Sequence, residues 1–195
     1  MKKYWISALL MFQFIPAFAE TVFVKMSTSE GDVYLELYQD KAPKSVENFL
    51  QYAKDGFYDG TIFHRVISTF MIQGGGFDAN MERKETRKTV QNEANNGLKN
   101  LRSTIAMART NDPHSATSQF FINVQDNPAL NYTGDQNTRT WGYTVFGKVI
   151  KGMDVVDEIR FKPTGAKIPF RKDVPLETVM IKTVEVLNER PATEE

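Results

Sequence analysis

Val33, Leu35 and Leu37 alternate with Tyr34, Glu36 and Tyr38, the period-two pattern of a strand with one buried face. Pro43 then opens a different period: Val46, Phe49, Leu50 and Ala53 recur at i, i+3, i+4 and i+7, which predicts a helix. Gly56 is placed to end it. Thr61–Val66, Phe70–Gln73, Ser103–Ala108, Gln119–Val124 and Tyr143–Phe146 are short β-type runs separated by Gly, Asn, Asp and Pro. Gly152–Phe161 predicts a second short helix with Met153, Val156 and Ile159 on one face, and Thr178–Leu187 a final strand. Many short strands with two helices and no βαβ alternation point to an antiparallel barrel or sandwich, with the helices capping the openings of a barrel. The polar stretches Asp78–Lys99 and Pro128–Thr140 are expected to be surface loops. No internal repeat and no linker divides the chain.

Residues 1–19 read differently. Lys2 and Lys3 form a positive start, Tyr4–Ile15 is apolar except for Ser7 and Gln13, and Pro16 precedes Ala17-Phe18-Ala19. This is the layout of a cleavable signal peptide, leaving residues 20–195 as one folded domain. The apolar stretch is shorter than the about 20 residues a membrane-spanning helix needs, and no later run could serve as a membrane anchor. The expected product is soluble and outside the cytoplasm.

Composition narrows the function. The 195 residues carry 24 Lys+Arg and 24 Asp+Glu; removing Lys2 and Lys3 leaves 22 basic against 24 acidic residues. That balance argues against a general nucleic-acid binder, which needs surplus cations for phosphate. There is no cysteine, so no disulfide, thiolate metal site or Cys nucleophile, and two histidines cannot make a His-rich metal site. No cofactor and no metal are expected.

The informative segment is Phe63–Phe77, where Arg65 sits among apolar residues and Gly74-Gly75-Gly76 follow Gln73. The glycines permit positive φ or close backbone approach. They are not a phosphate loop, since neither Gly-x-x-x-x-Gly-Lys nor Gly-x-Gly-x-x-Gly is present. Phe120 and Phe121 must face opposite ways on a strand, so one is free to line a pocket while the other enters the core. His64 reads as a structural, hydrogen-bonded histidine and His114, in a polar loop, as a solvated one. Ser115, Thr117 and Ser118 read as turn chemistry, because no Gly-x-Ser-x-Gly accompanies them.

Val33–Leu37, Ala42–Phe49, Gly56–Gly60, Phe63–Phe77, Met107-Ala108, Ser118–Ile122 and Val145–Val149 follow one another in an order that resembles the cyclophilins, the peptidyl-prolyl cis/trans isomerases. The resemblance runs from about Val22 to Leu187. It implies a mainly β fold, an eight-stranded antiparallel β-barrel capped by two α-helices. Arg65 matches the catalytic arginine, and Phe70, Met71, Phe121 and Leu130 match the walls of a pocket for the substrate proline ring. Gln73, Ala108, Arg109 and Gln119 match the groove that holds the peptide backbone, and Tyr143 lies where many cyclophilins have a rim histidine. Ala129 stands where many members have tryptophan and bacterial ones often phenylalanine, so weak cyclosporin binding is expected. The implied partners are proline-containing, folding polypeptides. A monomer in a bacterial periplasm, with no nucleic-acid partner, is the expectation. The altered rim at Ala129 and Tyr143 keeps an alternative in view: a proline-peptide-binding chaperone with little or no turnover.

Overall fold

The computed structural model describes residues 21–192, so the expected signal peptide lies outside the described residues. An eight-stranded antiparallel sheet and two helices form the body, as the strand-rich pattern predicts. The strands are β1 (Val22–Thr28), β2 (Asp32–Leu37), β3 (Thr61–Ile67), β4 (Met71–Asp78), β5 (Thr104–Met107), β6 (Phe120–Asn123), β7 (Val145–Lys151) and, after a hairpin described below, β10 (Ile181–Leu187). Their order across the sheet is β10-β1-β2-β7-β5-β6-β4-β3. The two edges meet: Phe63 N–H donates to Val179 O at 3.0 Å and Gly60 N–H to Ile181 O at 2.9 Å, while Ile62 and Met180 form an isolated bridge. The sheet is thereby curled on itself, which leaves little edge open for pairing with another chain.

Alternation decides what fills the interior. Val24 and Met26 on β1, and Val33, Leu35 and Leu37 on β2, are buried and share one cluster with Phe63, Val66, Ile72, Phe120, Ile122 and Phe146. Helix α1 (Pro43–Lys54) sets Val46, Phe49, Tyr52 and Ala53 into that cluster, and α2 (Met153–Arg160) adds Val156 and Ile159. Phe49 stacks against Tyr58, Phe120 and Phe146 at centroid distances of 5.1, 5.7 and 5.4 Å. Gly56 ends α1 with φ +64°, the left-handed turn that glycine adopts without strain.

The start of α1 is held from a distance. Ala42 offers no capping side chain. The carboxylate of Glu93 instead accepts from Lys44 N–H at 3.1 Å, Ser45 N–H at 2.8 Å and Ser45 Oγ at 2.7 Å. An anion there satisfies orphan donors and complements the positive end of the helix dipole.

A small hairpin, β8 (Thr164–Lys167) with β9 (Phe170–Pro175), was not signalled by hydrophobic alternation. It lays Phe170 and Val174 over β3, in a third apolar cluster with Ile62, Phe77 and Met81. No helix among the described residues is long and apolar enough to cross a membrane.

Candidate active site

The site lies on the outer face of the sheet, and a bulge aims its arginine. Phe63 and Val66 both belong to the interior cluster, although three positions apart on a strand. The register between β3 and β4 shifts between Phe63, opposite Gly74, and Arg65, opposite Gln73. His64 and Arg65 therefore leave the strand on the same, outer side, as bulged pairs do. Beyond the bulge, outward residues align across three strands: Arg65 with Gln73, and Gln73 with Phe121. Phe121 pairs with Ala106 on β5 and Ala106 with Val145 on β7. Phe120 turns inward and Phe121 outward.

Met71, Ala106, Ala108, Phe121 and Val145 form a second apolar cluster, separate from the barrel core, with Phe70, Leu130 and Tyr143 packed around it. Between these groups is a pocket of about 100 Å³ lined by Arg65, Phe70, Met71, Gln73, Ala108, Arg109, Phe121, Leu130 and Tyr143. Drug-sized ligands use about 300–1,000 Å³; this pocket has room for one small ring. Eight of the nine sequence-selected groove and pocket residues thus line it together with Arg65. Gln119 does not. It lines an adjoining cleft of about 160 Å³ with Gln73, Arg83, Thr110 and Ser115.

The polar side chains form a short row. Arg65 Nη1 donates to Gln73 Oε1 at 3.4 Å, and Gln73 Nε2 donates to Gln119 Oε1 at 2.9 Å. Gly76 makes room for that row, since a Cβ at Gly76 would come within 2.4 Å of Gln119 Cγ. Arg109 is committed elsewhere: Nε donates to Gly142 O, Nη1 to Thr110 O and Nη2 to Thr138 O, each at 2.9 Å. Its guanidinium carbon lies 4.5 Å from the centre of the Tyr143 ring, a stacked cation–π contact. Arg109 is therefore a strut beneath the pocket rim, with its donors turned to the protein's own backbone. Arg65 keeps donors for a bound molecule.

Both histidines point away from this chemistry. His64 is 2% exposed, between Phe77 and Phe170 at 4.7 and 5.2 Å, and its Nδ1 has no partner. Burial holds its pKa down to about 4, and the Arg65 charge acts in the same direction. The burial of His64 among aromatic rings agrees with a structural role, but Nδ1 lacks the hydrogen bond that the sequence reading expects. His114 differs from the expectation of a solvated loop residue: Nδ1 accepts from Asn92 N–H at 3.2 Å and the ring packs edge-on against Trp141 at 4.7 Å. Among the described residues no group of three or more His, Cys, Asp or Glu is placed to hold a metal ion.

A family model for cyclophilin type peptidyl-prolyl cis-trans isomerases (cyclophilin type peptidyl-prolyl cis-trans isomerase/CLD) matches residues 23–186. The chain belongs to the cyclophilins. It is 55% identical over 163 residues to peptidyl-prolyl cis-trans isomerase B of Escherichia coli (strain K12), covering 84% of this chain and 98% of that protein. It is 50% identical over 184 residues to peptidyl-prolyl cis-trans isomerase A of Dickeya dadantii, covering 93% of this chain and 94% of that one. Among solved structures, a cyclophilin-type isomerase of Cryptosporidium parvum, crystallised in the presence of the dipeptide Ala-Pro, superposes with a TM-score of 0.69 at 28% identity, covering 86% of this chain and 99% of that chain. This cyclophilin is an isomerase of the peptidyl-prolyl class.

Proposed function

We propose that this cyclophilin accelerates X–Pro rotation by seating the proline ring against Met71, Phe121 and Leu130 while Arg65 stabilises the twisted amide. Rotation breaks amide resonance, at a barrier of about 18–20 kcal/mol, and takes about 10–100 s unaided at 25 °C. A turnover of roughly 10–1,000 per second requires about 10²–10⁵-fold acceleration, or about 3–7 kcal/mol at about 1.36 kcal/mol per tenfold. In the twisted state the proline nitrogen loses conjugation and gains a lone pair. A guanidinium donor near that nitrogen or the prolyl carbonyl favours the twisted form over either planar one.

One charged hydrogen bond contributes roughly 1.5–3 kcal/mol. The remainder falls to positioning of the flanking peptide and to the apolar surroundings. The Gln73–Gln119 pair offers amide groups to the backbone beside the proline, and arginine stays charged while orienting several donors in a plane. The observation that carries this reading is a half-buried arginine, held by Gln73, at the wall of a pocket of about 100 Å³ that Phe70, Met71, Phe121 and Leu130 line on its apolar side. The test is steady-state isomerisation of an Ala-Pro peptide by the protein from Glu20 onward and by its Arg65→Ala variant. Turnover that falls at least tenfold in a folded variant agrees with the reading; unchanged turnover overturns it.

The leader pattern of residues 1–19 supports export to a periplasm and action on folding polypeptides there. Ala129 is exposed on the turn beside Leu130 and supplies no aromatic surface, which supports weak cyclosporin binding.

A further inference from the structure

Three buried asparagines run behind the pocket as one hydrogen-bonded relay. Asn127 Nδ2 donates to Phe70 O at 2.9 Å and to Asn123 Oδ1 at 2.7 Å. Asn123 Nδ2 donates to Asn100 Oδ1 at 3.2 Å and to Thr104 Oγ1 at 2.9 Å. Asn100 Nδ2 donates to Leu130 O at 3.0 Å and to Tyr143 O at 3.3 Å. The three residues are 6%, 0% and 1% exposed. From Asn127 through Asn123 and Asn100 to the Leu130 and Tyr143 carbonyls the donors run one way, so each of those bonds polarises the next, while Asn127 also donates outward to Phe70 O.

The ends of the relay are the pocket itself. Phe70, Leu130 and Tyr143 are three of its wall residues, and they come from separate stretches of chain: the β3–β4 turn, the turn Pro128–Leu130 and the approach to β7. Asn123 sits across from Met71 in the sheet, two residues beyond Phe121 on the same outward face. An asparagine at that register is costly in an apolar run unless every polar atom is satisfied, and here its carbonyl and amide are all used.

We infer that Asn123, with Asn127 and Asn100, is a positioning residue that fixes the separation of the proline-pocket walls; this rests on the pocket reading above. The relay touches no substrate. The ring sits in the pocket in both planar and twisted states, so loosening the walls removes binding common to both. That raises KM with little change in kcat. Loss of Arg65 acts the other way, on kcat.

The experiment measures kcat and KM for an Ala-Pro peptide with four variants, each checked for a native near-ultraviolet spectrum. Asn123→Leu keeps the branched shape, with somewhat more bulk, and breaks both sides of the relay; KM rises by about tenfold with kcat within about threefold. Asn127→Ser removes the bonds to Phe70 O and to Asn123 Oδ1, leaves the Asn123–Asn100 side in place, and raises KM by about threefold. Val156→Ala, a core truncation under α2, lowers thermal stability and leaves both constants unchanged. Phe121→Ala removes a wall and raises KM.

Folded Asn123→Leu with the parent KM overturns the inference. Should that variant not fold, Asn127→Ser with the parent KM does so. If Phe121→Ala also leaves KM unchanged, it is the pocket reading that fails. If Phe121→Ala raises KM and the asparagine variants do not, the relay alone fails.

Discussion

Arg65 and Gln73 face each other across β3 and β4, and Gln73 Oε1 accepts from the Arg65 guanidinium at 3.4 Å while its amide nitrogen is tied to Gln119 at 2.9 Å. Gln73 is thereby held in one orientation, oxygen toward the arginine. Gln73→Ala should lower kcat/KM for an Ala-Pro peptide by about tenfold, since a hydrogen bond from the charged guanidinium contributes about 1.5 kcal/mol at the low end, the level a 3.4 Å contact supports. Gln73→Glu should keep Arg65 in place but pull its charge toward the carboxylate, again lowering kcat. Steady-state kinetics on both variants check this.

His64 makes stability depend on pH. Its folded pKa of about 4 lies below the ordinary value of 6.5, because burial disfavours the charged ring. The unfolded chain binds a proton first, so the contribution is complete above about pH 6.5 and is lost as pH falls toward 4, by about 3 kcal/mol in all. Urea unfolding at pH 7.5 and 4.5 should show a loss that is about 2–3 kcal/mol smaller in His64→Leu. Parallel pH profiles for the two proteins would contradict this.

Glu93 caps α1 across 48 residues of chain from Ser45. Glu93→Ala should destabilise the fold by about 1–2 kcal/mol, with two backbone N–H groups and the Ser45 hydroxyl losing their acceptor. Chemical denaturation measures it. Isomerase activity of the folded fraction should be unaffected.

Ala129, exposed next to the pocket residue Leu130, carries no aromatic side chain. Ala129→Trp should tighten cyclosporin binding by about tenfold or more, in proportion to the ring surface it buries. Calorimetric titration of both proteins provides the comparison.

Much of this was legible in the residue pattern. Alternation at Val33, Leu35 and Leu37, the 3.6-residue period from Val46 to Ala53 and the stop at Gly56 are local signals, and the structure carries each one. The opposed faces of Phe120 and Phe121 follow from the pleat alone. Strand limits were less legible: the predicted Tyr143–Phe146 run is a seven-residue strand from Val145 to Lys151, extended through Gly147 and Lys148 by pairing with β2. The β8–β9 hairpin has exposed residues on both faces of β8, so it carries no alternation to read.

The site's geometry was not local. The bulge that turns Arg65 outward depends on register with β4. The Glu93 cap and the asparagine relay join residues far apart in the chain. A hint existed for the relay: Asn123 is a polar residue closing the apolar run Phe120-Phe121-Ile122.

The role proposed for Arg65 is on the twisted amide rather than in peptide capture. Exchange NMR on an Ala-Pro peptide saturating the protein reads cis/trans rotation within the complex, free of binding. Bound-state exchange is expected to be at least tenfold slower in Arg65→Ala, with peptide affinity changed by less than about threefold. Equal bound-state exchange in the two proteins would contradict it.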